Sequence, residues 1–296
     1  MRIFVTGASG FVGSAVVAEL ISAGHSVMGL ARSDASADKL EAAGAEVHRG
    51  SLEDLDSLRR GAAGSDGVIH CAFIHDFSRI VEVSAVDKRA IEALGETLED
   101  SGRPLIATSG VALLRPGEVA TEEIARTPDP HFPRVSEETA LAFAPRGVRA
   151  MAIRLAPTVH GEGDLGFVPR LIAIAREKGS AAYVGQGLNR WPAVHRLDAA
   201  RVYQLALEKG ASGAQYHAVA EEGLPFKDIA AAIGKGLGVP VVSALPEKAA
   251  EHFGWFAMFA GMDMPASSAL TRRRLGWSPA EPGLLADLDQ PHYFGG

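Results

Sequence analysis

The chain opens with a short apolar run, Arg2–Thr6, that passes without a break into Gly7-Ala8-Ser9-Gly10-Phe11-Val12-Gly13. Val12, Val16, Leu20 and Ala23 then recur at near-helical spacing, and Gly24 stops the pattern. A strand, a glycine loop and a helix in direct succession leave few folds open. Gly7 permits a tight turn, Gly10 lets the backbone approach a ligand, and Gly13 lets the helix pack closely on the strand. The free N–H groups and the positive dipole end of the helix then face an anion, which this arrangement predicts to be a dinucleotide pyrophosphate.

The pattern repeats. Apolar runs at Ser26–Ala31, Glu46–Arg49, Gly67–Cys71, Pro104–Thr108 and Arg149–Leu155 read as further strands. Helical stretches lie between them; in one, Ala90, Leu94 and Leu98 recur every four residues before Gly102 and Pro104. Such alternation predicts an α/β fold, a Rossmann doubly wound parallel sheet with helices on both faces. After Leu155 the pattern changes to a Gly- and Pro-rich segment over 156–166, helices from Pro169 to about Lys178 and over Leu197–Leu207, a strand over Gln215–Ala220 and a helix over Phe226–Leu237. We expect a dinucleotide-binding domain over residues 1–155, with a return segment over about 190–220. Residues 156–189 and 221–296 then form a smaller C-terminal substrate-binding domain at the ligand edge of the sheet.

Composition narrows the function classes. With 296 residues, 47% hydrophobic and 22% charged, the chain has ordinary globular content. A formal net charge of -7 and the absence of a basic patch argue against nucleic acid; Arg272, Arg273 and Arg274 read as the end of a helix. No apolar segment reaches membrane-span length, and the N-terminal run is too short for a signal peptide, so the expected location is cytoplasmic. Cys71 cannot form an internal disulfide and reads as a small core residue. No ligand set has metal spacing; His160, Glu162 and Asp164 share a loop and read as loop polarity. A small-molecule substrate is the expected partner, and a homo-oligomer is left open.

The loop spacing, Thr-Gly-x-x-Gly-x-x-Gly, resembles that of the extended short-chain dehydrogenases/reductases of the NAD-dependent epimerase/dehydratase superfamily. Val68-Ile69-His70-Cys71-Ala72 resembles that family's fourth strand, Thr108-Ser109-Gly110 the end of its fifth, and Arg154 to Gly161 its RPxxVYG segment. Trp191 to Asp198 resembles FVHVDD, and Leu275-Gly276-Trp277-Ser278-Pro279 the closing LGWxP. The resemblance implies a nicotinamide cofactor held by Gly7, Ala8, Ser9, Gly10, Phe11, Val12 and Gly13. It also implies contacts from Arg32, Ser33, Ser51 and Leu52, from Cys71, Ala72 and Phe73, and from Thr108, Ser109, Pro157 and Val159.

An NAD-binding chain places an acid at the end of the second strand, on the ribose hydroxyls. Here Ala31 holds that position and Arg32-Ser33 follow, which suits a 2′-phosphate and predicts NADP. NAD is the alternative, with Asp34 on the ribose.

The family's chemistry rests on Tyr-x-x-x-Lys with a nearby hydroxyl, and this sequence contains no Tyr-x-x-x-Lys. Pro133 falls where the tyrosine stands and Glu137 where the lysine stands; the hydroxyl position falls near Gly110. The chain therefore resembles an atypical, extended-like member. Substitute proton donors are His160, just past the sixth strand, then Ser109 and His75, with Asp76 and His195 in the same region. The expected pocket lies at the loops after the fourth, fifth and sixth strands, closed by Trp191 and the aromatic tail Phe253–Phe259, whose other reading is a small packed core.

These features predict an NADP(H)-dependent oxidoreductase acting on a small carbonyl or alcohol. A non-catalytic NADP(H) sensor is the second reading, favoured by the missing pair. A sugar-nucleotide-type epimerase is the third; it needs acid–base groups on both faces of a substrate, and no such pair stands out.

Overall fold

The computed structural model describes residues 1–112, 114–127 and 132–295. Seven parallel strands form the central sheet in the order β10-β6-β5-β4-β1-β2-β3. They are β1 (Arg2–Thr6), β2 (Ser26–Ala31), β3 (Glu46–Arg49), β4 (Gly67–His70), β5 (Pro104–Gly110), β6 (Arg149–Leu155) and β10 (Gln215–Ala218). The first six follow the sequence reading within two residues at each end. β5 runs on to Gly110 because Thr108, Ser109 and Gly110 stay in register with Ile153, Arg154 and Leu155.

Alternation along each strand splits the core into two layers. Ile3 and Val5 point into one cluster with Val16 and Leu20 of α1 (Phe11–Ser22) and Tyr203 and Leu207 of α7 (Arg196–Lys209). Phe4, between them, points into the opposite cluster with Leu58 of α3 (Leu55–Ala63), Leu94 and Leu98 of α4 (Ile80–Leu98), and Phe143. α2 (Asp34–Ala42) starts at a Ser33 cap whose hydroxyl accepts from the Ser36 N–H. α5 (Ser136–Leu141) is short and lies on α4, β5 and β6. From β1 the chain winds outward through β2 to β3, then crosses to β4 and continues through β5, β6 and β10. The switch point lies between β1 and β4, and ligands of such sheets bind there, off the carboxyl ends of the strands.

The second half contains strands that the sequence reading did not anticipate. β7 (Thr158–His160), β9 (Arg190–His195) and β11 (Glu221–Pro225) form a three-stranded sheet, and β8 (Ala181–Val184) pairs with β12 (Val241–Ala244). These strands are three to six residues long and partly Pro-containing, too short for a period-2 signal. A third apolar cluster gathers around them. It takes Leu171 and Ile172 from α6 (Phe167–Lys178), Ile229 and Ile233 from α8 (Phe226–Leu237), and Trp191. Phe253 of α9 (Ala249–Phe253), Phe256, and Phe259 of α10 (Ala257–Ala260) complete it. The aromatic tail is therefore largely packed core. Trp191 is fully buried at the centre of that core and does not close a pocket; only Trp255 and Met258 turn outward. α11 (Ala269–Leu275) ends with Arg272, Arg273 and Arg274 before a left-handed Gly276, as expected of a helix terminus. α12 (Leu284–Asp287) follows. Among the described residues no helix is long and apolar enough to cross a membrane.

Candidate cofactor and active site

The three glycines of the first loop do different jobs. Gly7 sits at φ +68, a conformation that side chains resist, and a Cβ there would meet the Ala72 backbone at 2.7 Å. A Cβ on Gly13 would stand 2.0 Å from the Gly7 carbonyl oxygen, so helix and loop touch only because it is absent. Gly10 has an ordinary φ of -79 and is the N-cap of α1 without a side-chain cap. A Cβ there would have one close neighbour among the described residues, Gly7 O at 3.1 Å. A Cβ there would ask the Gly7 carbonyl to give by only a few tenths of an ångström, so packing constrains this glycine less than Gly7 or Gly13, and the uncapped N–H groups of the first turn are left open to an anion. The first turn of α1 carries no acid. The loop fits a dinucleotide pyrophosphate.

At the end of β2, Arg32 is exposed and Asp34 pairs with Arg49 at 2.8 Å. Ala31 and Arg49 are register neighbours across β2 and β3, so two guanidiniums flank the position where an acid would hold a ribose. Ser51 and Leu52 follow β3 and are half-buried, with the Ser51 hydroxyl accepting from the Glu53 N–H.

The ends of β4 and β5 meet in a polar network. The Thr108 hydroxyl donates to the His70 carbonyl at 2.8 Å and is 2.8 Å from the Tyr203 hydroxyl. Thr108 is buried and its hydroxyl is fully engaged. Burial pushes the Cys71 thiol up to about 12, against hydrogen bonds to Thr108 and Tyr203, which keeps it in the neutral thiol form. His70 is fully buried between Thr6 Oγ1 at 2.8 Å and Asp87 Oδ1 at 3.1 Å. The other Asp87 oxygen accepts from the Ser136 hydroxyl at 2.5 Å. Burial opposes ionisation of Asp87, but bonds from His70 and Ser136, with the His70 and Arg134 charges, hold its carboxyl below the usual range.

Arg134 completes this edge, and sequence reasoning missed it. Its Nη2 donates to the Thr108 carbonyl at 2.9 Å and its Nε to Ser136 Oγ at 2.7 Å, while its guanidinium lies 4.0 Å from the centroid of the Phe73 ring. Desolvation lowers its pKa, with the Asp87 charge opposing. His75 is exposed beyond Phe73, and partial desolvation followed by the Arg134 charge lowers its pKa. Ser109 is half-buried at the same strand end. Gly110 is exposed, and among the described residues a Cβ there would meet only Leu155 O at 3.6 Å. Ser109, His75, Phe73 and Ala72 thus share one strand edge, with Pro157 beyond β6.

Two groups at this end of the fold are taken up by internal partners. Glu137 forms a buried two-pronged ion pair with Arg154. His160, ranked first as proton donor, is fully buried. Its Nδ1 is 2.8 Å from Asp287 Oδ2, its ring packs on His195 at 5.3 Å, and among the described residues its Nε2 has no hydrogen-bond partner. It belongs to a cluster in which the Tyr293 hydroxyl donates to Asp164 and accepts from the Gly161 N–H. With no exposed atom, His160 does not reach a substrate in this conformation; the tail carrying Asp287 turns it inward. His195 caps α7, its Nδ1 accepting from the Leu197 N–H at 3.3 Å. Among the described residues, no group of three or more His, Cys, Asp and Glu is placed to hold a metal ion.

The fold and loop agree with comparisons to known proteins. The NAD dependent epimerase/dehydratase family matches residues 3–90, the stretch holding the glycine loop and the β4 end. An uncharacterized protein of Schizosaccharomyces pombe is 54% identical, covering 99% of this chain and 100% of its own. This chain belongs to the NAD dependent epimerase/dehydratase family. The 2-alkyl-3-oxoalkanoate reductase of Stenotrophomonas maltophilia is 28% identical, over 86% of this chain and 81% of its own. The solved structure of DesIV from Streptomyces venezuelae, a dTDP-glucose 4,6-dehydratase with NAD bound, superposes with a TM-score of 0.77 at 20% identity. It covers 97% of this chain and 96% of that one.

Proposed function

We propose that this family member is an NADP(H)-dependent oxidoreductase that acts on a small carbonyl or alcohol. The observation carrying the cofactor choice is Arg32 at the end of β2, exposed and without a partner among the described residues, beside an Asp34 that pairs with Arg49. A guanidinium there suits a 2′-phosphate, and a carboxylate salt-bridged to arginine is a poor ribose acceptor. Gly7, Gly10 and Gly13 would hold the pyrophosphate, and the ends of β4 and β5 would face the nicotinamide. When bound, the nicotinamide supplies or takes the hydride; the chain supplies orientation and charge. The oxidoreductase reading is supported by reductases among the relatives and by the polar edge built from Arg134, Ser109 and His75.

Calorimetric titration of NADPH and NADH into the protein tests this reading. NADPH should bind at least about tenfold more tightly, and Arg32→Ala should remove that difference, a loss of roughly 1.5–3 kcal/mol. Equal affinity for both cofactors in the wild type contradicts the NADP assignment.

A further inference from the structure

We propose that Arg134 is the catalytic residue that takes the place of the missing Tyr-x-x-x-Lys pair, binding the oxygen of the substrate carbonyl and stabilising the negative charge that develops on it. This rests on the oxidoreductase reading above.

Three observations carry it. The first is position. Arg134 is bonded to the Thr108 carbonyl at the end of β5 and stacked on Phe73 beyond β4, at the ligand edge beside the switch point. The second is an unspent donor on a guanidinium only loosely paired with a carboxylate. Its nearest carboxylate, Asp87, is 3.8 Å away, and the Asp87 oxygens already serve His70 and Ser136. Among the described residues Nη1 has no hydrogen-bond partner, and the side chain keeps 26% exposure. The third is fixation. Two hydrogen bonds and a ring face hold the guanidinium plane, so donors aimed at a developing oxyanion need not reorganise during reaction. A structural arginine of this chain looks different: Arg154 is fully buried and spends its charge on Glu137.

The chemistry balances without a tyrosine. In the reductive direction the carbonyl carbon gains a C–H bond from the dihydronicotinamide of NADPH. The C=O π pair moves onto oxygen, against Arg134, and that oxygen takes a proton from water. The carbonyl is reduced and NADPH is oxidised to NADP⁺. A guanidinium stays protonated throughout the working range, so it supplies charge and hydrogen bonds, and the proton comes from solvent.

The test uses the full chain with Arg134→Gln, Arg134→Lys and Arg134→Ala. Turnover is read with 9,10-phenanthrenequinone and a panel of aldehydes and ketones. Oxyanion binding is read separately, by calorimetry of butyrate with the protein both free and saturated with NADP⁺. Arg134→Gln should lower kcat by about 10²–10³-fold, as loss of an oxyanion donor does, with NADPH affinity unchanged. Arg134→Lys should recover only part of it, because an ammonium cannot keep both anchoring bonds and present a donor. Butyrate should bind the wild type and not the Gln variant, and millimolar methylguanidinium should restore turnover in Arg134→Ala. A merely structural arginine would give neither butyrate discrimination nor rescue. A wild type that turns over carbonyls while Arg134→Gln does so equally well overturns this inference and leaves the oxidoreductase reading standing. A wild type that binds NADPH but reduces no member of the panel overturns the oxidoreductase reading itself.

Discussion

Glu137 and Arg154 face each other across α5 and β6 in a buried, two-pronged ion pair, Nε to Oε2 at 2.7 Å and Nη2 to Oε1 at 2.5 Å. The work of this carboxylate is to neutralise a guanidinium inside the fold. Arg154 Nη1 also donates to His217 Nε2 at 3.3 Å and to the Glu122 carbonyl. Glu137→Ala leaves a buried arginine charge without its partner. We expect a loss of about 3–5 kcal/mol, read as a lower urea midpoint with unchanged slope. A loss under about 1 kcal/mol would show that water or Glu122 takes over the charge.

The same cluster predicts a pH dependence. His217 is fully buried; its Nδ1–H donates to the Ser267 carbonyl at 2.8 Å, and its Nε2 accepts from Arg154. Burial first, and then the Arg154 charge, push its pKa from 6.5 down to about 4, with Glu122 opposing. A depressed histidine pKa means that the unfolded chain binds the proton more readily. Its stabilising contribution is therefore complete above about pH 6.5 and is lost as pH falls toward 4. Urea denaturation at pH 7, 5.5 and 4 should show His217→Gln losing less stability over that range than the wild type, by on the order of 2–3 kcal/mol. Parallel losses in the two proteins would contradict the assignment.

The loop glycines separate folding from binding. Gly13→Ala pushes a Cβ to 2.0 Å from Gly7 O and should cost about 1–3 kcal/mol of stability. Gly10→Asp should cost less: its backbone has the extended conformation of a helix N-cap, where aspartate is favoured, and its Cβ asks only a small shift of the Gly7 carbonyl 3.1 Å away. That carboxylate would occupy the pyrophosphate position, and NADPH affinity should fall by at least about a hundredfold, about 2.7 kcal/mol. A Gly10→Asp protein that still binds NADPH tightly would remove the glycine loop as the cofactor site.

The legible and illegible parts of the sequence divide on physical grounds. The β1–α1–β2 unit and the strands through β6 are written in local pattern, because apolar runs and glycine stops act over neighbouring residues. The glycine loop is legible for the same reason. Arg134 is not, because its partners come from β5, from α5 and from the loop after β4, and no local pattern marks it. Pro133, beside it, drew attention only as the place where a tyrosine is missing. His160 shows the opposite error. Its position after β6 is a reasonable place for a donor, but Asp287, 127 residues away, fixes which way the ring points. The short strands of the second half carry too few residues for periodicity, and the aromatic tail reads equally well as lid or core until its packing partners are known.

Hydride transfer between a nicotinamide and a carbonyl leaves an isotopic signature on the product. NADPH carrying deuterium at both positions of nicotinamide C4 is incubated with the protein and each carbonyl of the panel, and the products are read by mass spectrometry and deuterium NMR. A product alcohol should carry one deuterium on the former carbonyl carbon, and none at that carbon when the solvent alone is deuterated. NADPH that binds but stays unoxidised across the panel, or an alcohol whose new C–H bond takes its isotope from solvent, would contradict it.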